Sequence, residues 1–227
     1  MDFLKCLHHY TSFLFDTVIE QRSSPLNPVL EIRYYKGRYM LDAAKANYSF
    51  GKLHLVFEQA FQKINTVAIG LKNRTINNAL ILGYGGGSIA HILNGYNHQI
   101  SITGIEHDKE VIDLAVKYFH LHDFKNVKLI HADAEEYVRG CDETYDLIAI
   151  DLYNDTLVPV QFCNVSFFSE LKKLLKKNGI IVFNRMLYGD KKKEKIALDD
   201  FKKVFPGTYS IYVLDNMLLI FELKIIP

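Results

Sequence analysis

A chain of 227 residues, 49% hydrophobic and 23% charged, carries enough apolar material to bury a core and is too apolar to be a disordered polymer. That length fits one α/β domain with a modest N-terminal addition. A formal net charge of +1 gives no general attraction to nucleic acid or to an anionic membrane.

Phe3, Leu4, Leu7, Tyr10, Phe13, Leu14, Val18 and Ile19 recur at helical spacing and predict an amphipathic helix over the first twenty residues. Asp2, Asp16 and Glu20 offset Lys5 on its polar face, so packing on the body or on a second subunit is expected rather than membrane binding. The opening Met1-Asp2-Phe3-Leu4-Lys5 lacks a basic leader, no apolar run reaches bilayer length, and Cys6, Cys141 and Cys163 are too scattered for a disulfide framework or thiolate metal site. A cytoplasmic, non-exported, non-membrane protein is the expectation.

Residues 23–28 read as a loop, and Val29–Tyr35 and Arg38–Leu41 as a hairpin across Lys36-Gly37. Leu53, Val56, Phe57, Ala60, Phe61 and Ile64 mark a helix. Strands are predicted at 79–83, 101–106, 127–131, 145–151 and 179–184, with helices at 87–95, 108–120 and 163–177 between them. That alternation means a parallel sheet covered on both faces. A helix at 192–204 precedes two extended runs, Tyr209–Leu214 and Met217–Leu223, whose tight connection demands antiparallel pairing. A mostly parallel sheet ending in an antiparallel hairpin is the mark of the methyltransferase-type Rossmann-like α/β fold. Lysines 172, 173, 176, 177 and 191–193 lie among acidic residues without aromatic partners and read as solvated helix faces, not as a nucleic-acid patch.

Ligands of open α/β sheets bind beyond the carboxyl ends of the strands, and here those positions are polar. After the first strand comes Gly83-Tyr84-Gly85-Gly86-Gly87-Ser88, a glycine-rich turn entering a helix; Ser88 stands where a dinucleotide fingerprint wants glycine. Glu106-His107-Asp108 follows the second strand, Asp133-Ala134 the third, and Asp151 with Tyr153, Asn154 and Asp155 the fourth. Glu106, 23 residues beyond Gly83, is placed to accept both hydroxyls of a ribose diol. Asp133 is placed to meet an adenine amino group, and Asp151 to orient or deprotonate a nucleophile. Asp108 and Asp133 equally suit helix N-caps, and Ser88 a cap or a ligand contact.

Leu80 to Ser88, Ile102 to Asp108, Ala132-Asp133-Ala134 and Tyr145 to Asp151 together resemble the spermidine synthase-like group of class I S-adenosylmethionine-dependent folds. Tyr153, Pro159, Phe167, Phe168 and Leu171 through Gly179 resemble that group's gating loop and following helix. The resemblance divides the chain into residues 1–66, a helix, hairpin and helix, and residues 67–227, an S-adenosylmethionine-binding Rossmann-like domain. It implies that Gly83, Tyr84, Gly85, Gly86, Gly87, Ser88, Glu106, His107, Asp133 and Ala134 bind the co-substrate, S-adenosylmethionine or its decarboxylated form. It further implies that Asp151, Tyr153 and Asp155 serve catalysis, with no metal, on a small-molecule acceptor in a homodimer. Tyr34, Tyr35 and Tyr39 on the hairpin suggest a lid or a dimer contact.

The departures bear on the group transferred. The family's glycine loop carries an aspartate that pairs with the aminopropyl ammonium, and Gly86 stands in its place. A fixed aspartate beside the carboxylate of ordinary S-adenosylmethionine would cost about 1 to 4 kcal/mol, so Gly86 favours that donor, whose carboxylate the loop N–H groups are expected to receive. The family's Asp-Ser-Ser-Asp becomes Asp151-Leu152-Tyr153-Asn154-Asp155, and its Tyr-His-Glu cluster becomes His54-Leu55-Val56, leaving fewer anions for a diamine. His120, His122 and His131 lack the carboxylate or cysteine that would complete a metal site and read as surface histidines. A methyl or aminopropyl transferase is therefore expected; a nucleoside-binding regulatory protein that has lost catalysis is the alternative.

Overall fold

The computed structural model describes residues 9–44, 46–67, 76–154, 157–186 and 191–223. Strands β1 (Thr17–Arg22), β2 (Leu30–Tyr35), β3 (Arg38–Ala43) and β4 (Asn47–Ser49) form a four-stranded antiparallel sheet in sequence order. The predicted hairpin is β2 and β3, with Lys36 and Gly37 at the turn, both at positive φ.

The predicted first helix is corrected. Its residues 1–8 lie outside the described residues, the helical turn that is described covers only residues 9–11, and Thr17–Arg22 is strand. Thr17, Val18 and Ile19 are consecutive β-branched residues, which prefer the pleated backbone, and β1 takes them into antiparallel pairing with β2. Tyr34 and Tyr39 stack with ring centroids 4.8 Å apart, and Tyr39 meets Tyr118 at 5.1 Å. Tyr39 thus packs against the body of the same chain, with Tyr34 stacked behind it.

Helix α1 (Lys52–Val67) leads into the larger sheet. Strands β5 (Asn78–Leu82), β6 (Ser101–Glu106), β7 (Val127–His131), β8 (Tyr145–Ile150), β9 (Leu175–Met186), β10 (Tyr209–Val213) and β11 (Asn216–Glu222) take the order β10-β11-β9-β8-β5-β6-β7. β5 through β9 run parallel; β11 is antiparallel to both β9 and β10. Helices α2 (Ser88–Tyr96), α3 (Lys109–Tyr118), α4 (Ala134–Gly140), α5 (Val165–Leu174) and α6 (Lys191–Val204) connect them.

The sheet's two faces bury two cores. On one, Phe57, Phe61 and Ile64 of α1 pack with Ala79, Ile81, Ile102, Leu147 and Leu218. On the other, Leu80, Leu82, Ile148 and Ile150 meet Phe167, Phe168, Phe201 and Phe205. Alternate residues of β5 therefore serve opposite cores, as a strand covered on both sides requires.

Two further expectations are corrected. Helix α5 stops at Leu174 and β9 begins at once, so Lys176 and Lys177 lie on a strand and not on a helix face. Lys176 donates to Asn78 Oδ1 at 2.7 Å and pairs with Asp146 at 3.3 Å, which ties the start of β9 to β5 and β8. Helix α4 falls in a stretch without a predicted helix; its seven residues are too few to show a period, and the cap at Asp133 is its clearest signal.

Gly104, in the middle of β6, is needed for space. A Cβ there would overlap the Tyr84 ring, which lies over β6 and is 4% exposed. Gly104→Ala is therefore expected to displace Tyr84 and with it the glycine turn, at a cost of about 1 to 3 kcal/mol. Thermal unfolding checks this, with a fall in Tm of about 2 to 4 °C per kcal/mol expected for a chain of this size.

Candidate functional site

Strand β5 has β6 on one side and β8 on the other, and the chain order reverses there. At the carboxyl ends of these strands lies a cleft of about 230 Å³. Its floor and acidic wall are Gly83, Gly85, Glu106, His107, Asp108, Asp133 and Asp151; Leu26, Ala46, Leu53, Ile105, Ala132, Leu152, Pro159, Phe162 and Met186 add apolar surface.

Gly83 brings the cleft's two halves together. Its φ is +83°, and a Cβ would overlap the carbonyl oxygen of Asp151. The Asp151 amide donates to the Leu82 carbonyl at 2.8 Å, so the catalytic candidate sits directly against the glycine turn.

Glu106 holds that turn in shape. One carboxylate oxygen accepts from the Gly85 amide at 2.9 Å; the other accepts from the amides of His107 at 2.9 Å and Asp108 at 3.0 Å. Burial pushes its pKa up, while the Asp108 and Gly85 amides pull it down. The oxygen that accepts from His107 and Asp108 is thereby filled, and the one that accepts from Gly85 keeps a lone pair for a ligand hydroxyl.

Asp133 and Asp108 are both helix N-caps. Asp133 Oδ1 accepts from the Glu135 amide at 2.8 Å and the Glu136 amide at 3.1 Å, while its Oδ2 lies 3.7 Å from His107 Nδ1. Asp108 caps α3 through the Glu110 amide at 2.9 Å, and its other oxygen accepts from the Ser24 hydroxyl and from Asn27 Nδ2. Asn27 in turn accepts from the Tyr48 hydroxyl at 2.8 Å. Through that chain the N-terminal sheet closes one side of the cleft. Asn27, Asn47 and Tyr48 line it without any signal in the sequence, because their place is set by the packing of one sheet on the other.

Asp151 is recessed at the end of β8. Burial raises its pKa to about 7, against the lowering effect of Asn184 Nδ2, which donates to it at 2.9 Å, and with a further rise from the Glu106 charge. Tyr153 lines the cleft with its ring, but its hydroxyl donates to the Asn184 carbonyl at 3.0 Å and accepts from the Met186 amide at 2.8 Å. It fastens the segment after β8 to β9. Asp155 lies outside the described residues.

Four of the predicted loop positions stand behind the cleft wall. Tyr84 is core, packed on Gly104. The Gly87 amide donates to the Tyr84 carbonyl, the Gly86 amide to Ser49 Oγ at 2.6 Å, and Ser88 Oγ accepts from the Phe50 amide at 2.8 Å. Helix α2 starts without a side-chain cap. The expectation that loop N–H groups receive a ligand carboxylate is corrected at Gly85, Gly86 and Gly87, whose amides already have partners within the chain. At Gly86 a Cβ would stand 2.8 Å from Ser49 Cβ and 3.1 Å from the Phe119 ring, so the position has no room for a side chain.

Of the histidines read as surface residues, His120 faces Asp123 at 3.5 Å and His131 Nε2 lies 2.9 Å from the His107 carbonyl oxygen. Among the described residues no three metal-ligating side chains gather in one place, and no helix is long and apolar enough to cross a membrane.

The chain is 32% identical over 114 residues to a probable polyamine aminopropyl transferase of Bifidobacterium longum, covering 50% of this chain and 25% of that one. It is 25% identical over 202 residues to an eEF1A lysine and N-terminal methyltransferase homolog of Drosophila melanogaster, covering 83% of this chain and 29% of that one. The chain thus spans only about a quarter of the length of these relatives. Human Methyltransferase-like protein 13, solved in complex with SAH, superposes with a TM-score of 0.64 over 77% of this chain and 83% of that one at 22% identity, a likeness of fold. The profile of the spermine/spermidine synthase domain matches residues 60–214, from α1 to the turn before β11. The chain belongs to the spermine/spermidine synthase domain family.

Proposed function

We propose that this chain is a transferase that binds an adenosyl sulfonium co-substrate and moves its alkyl group, in the first instance a methyl group, to an amine nitrogen. The observation that carries the proposal is the recessed Asp151, pushed up to about 7 beside Glu106 in a cleft whose described lining residues include no lysine or arginine. A recessed carboxylate in such surroundings is costly when charged and is relieved by a cation, which both a sulfonium and an ammonium are. The fit to the nucleoside half rests on Glu106, whose Gly85-bound oxygen keeps a lone pair for a ribose hydroxyl, and on Asp133 Oδ2, which no α4 amide occupies.

When bound, the sulfonium donor supplies an electrophilic carbon whose bond to sulfur breaks as the bond to the amine nitrogen forms. Asp151 orients the acceptor and takes the proton the nitrogen sheds. Gly83 and Gly85 let the backbone approach the donor, and Leu26, Leu53, Phe162 and Met186 exclude water from the site.

Methyl transfer is placed first for two reasons. The position where the resemblance expects an ammonium-binding aspartate is Gly86, and Ser49 and Phe119 fill the space a side chain would need. The methyltransferase relative also aligns over 83% of the chain, against 50% for the aminopropyl transferase. Aminopropyl transfer is the second reading, favoured by the higher identity of that shorter match, 32% against 25%. Competition calorimetry separates them: S-adenosylmethionine is expected to bind more tightly than its decarboxylated form, and the reverse order would favour aminopropyl transfer. Binding of neither, nor of methylthioadenosine, would remove the proposal.

Asp151→Asn is expected to lower kcat by about 100- to 10,000-fold, the usual worth of a positioned general base, with methylthioadenosine affinity retained. Steady-state turnover paired with calorimetry checks both parts.

The raised pKa also fixes a sign for stability. An aspartate that titrates near 4 when unfolded and at about 7 when folded contributes most below the lower value, and that contribution is lost as pH rises through the upper one. Thermal unfolding of the ligand-free protein at pH 5 and pH 8 should show Asp151→Asn gaining stability relative to the parent as pH rises. A constant difference would mean that Asp151 is not perturbed.

A further inference from the structure

Two asparagines lie inside the larger sheet where apolar residues are the rule. Asn184 on β9 is 0% exposed and follows Ile180–Phe183; Asn216 on β11 is 6% exposed and precedes the buried run Met217–Phe221. A buried primary amide without partners costs about 1 to 3 kcal/mol, and asparagine is poorly suited to strands. Their hydrogen bonds account for both.

Asn216 Nδ2 donates to Asn184 Oδ1 at 2.9 Å, and Asn184 Nδ2 donates to Asp151 Oδ1, also at 2.9 Å. The register produces this line. Asn216 stands opposite Met186, which brings it diagonally against Asn184 on the same face; Ile150 stands opposite Phe183, which leaves Asp151 one residue further on, beside Asn184. The polarity is fixed by chemistry. When Asp151 is ionised it only accepts, so Asn184 then turns its amino group to Asp151 and its carbonyl oxygen to Asn216. Without Asn216 the Asn184 amide would lose the contact that holds it in that sense.

We propose that Asn184 and Asn216 are positioning residues, which hold one oxygen of Asp151 against the sheet and leave the other to face the acceptor nitrogen. The role in transfer rests on the reading of Asp151 given above; the hold on its carboxylate does not. Among the described residues no other charged group donates to Asp151. Glu106, Asp108 and Asp133 share the cleft with Asp151 and are carboxylates, His107 lies 3.7 Å from Asp133, and Arg185, the next residue on β9, donates to Cys163 Sγ at 2.7 Å. The donated hydrogen bond therefore favours the charged form of Asp151, the form that accepts a proton.

The test is carboxyl NMR titration of Asp151 in the full ligand-free chain, in the parent, Asn184→Leu and Asn216→Ser. Asn184→Leu is expected to raise the Asp151 midpoint by about one pH unit, a tenfold change in proton affinity and a common worth for a hydrogen bond to a charged group. Asn216→Ser, remote from the cleft, is expected to raise it by less, with methylthioadenosine affinity unchanged in both. The acid limb of the kcat profile should move with the midpoint. An unmoved midpoint overturns the proposal, and if Asn184→Leu does not fold, Asn184→Ser and Asn216→Ser read the same quantity. A shifted midpoint in a protein that transfers nothing would uphold the hold on Asp151 and remove the proposed function.

Discussion

The close approach of Gly83 to the carbonyl oxygen of Asp151 is the constraint from which the rest of the site follows. A side chain at Gly83 would overlap that oxygen, so the turn after β5 and the segment after β8 can share one cleft only while residue 83 lacks a Cβ. That approach brings the glycine turn and Asp151 to one cleft, within reach of one small ligand. The topology supplies the opening, because β5 is where the chain order reverses. Gly104 supports the same turn from beneath by admitting the Tyr84 ring.

The cleft that results is electrostatically one-sided. Glu106, Asp108, Asp133 and Asp151 line it, and among the described lining residues His107 is the only basic side chain. The protein manages the four carboxylates differently. Glu106, Asp108 and Asp133 are held by backbone amides, which reduce the cost of their charge and tie them to structure. Asp151 receives a single side-chain amide and is left with its pKa raised to about 7. The group least compensated by the fold is the one that gains most from a bound cation, and that asymmetry sets Asp151 apart from the three that build the wall.

The parts of this arrangement legible in the sequence are those set by local pattern. Each strand of the parallel sheet is an apolar run, and each carboxylate directly follows its run, so Glu106, Asp133 and Asp151 are found by position alone. The N-terminal segment misleads because the apolar stripe through Ile19 has a helical period, while Thr17, Val18 and Ile19 choose β1 once β2 offers a partner. Asn27, Ser49 and Asn184 carry no local mark. Asn27 meets Asp108 across 81 positions, and Ser49 meets Gly86 across 37. Asn184 looks like a polar end to an apolar strand until β11 is laid beside it.

Gly86 shows how the two kinds of information combine. Read alone, it is a missing carboxylate that leaves space and free backbone N–H groups for a donor's own carboxylate. In the folded chain neither space nor N–H is free: Ser49 accepts from the Gly86 amide and, with Phe119, fills the volume a side chain would take. β4 has closed over the turn, and an ammonium brought to that point would meet a hydroxyl already engaged and an aromatic edge rather than an anion. The proposed preference against a bare ammonium donor thus rests on a positive feature of β4, whose Ser49 stands beside Gly86 where a side chain would have to go.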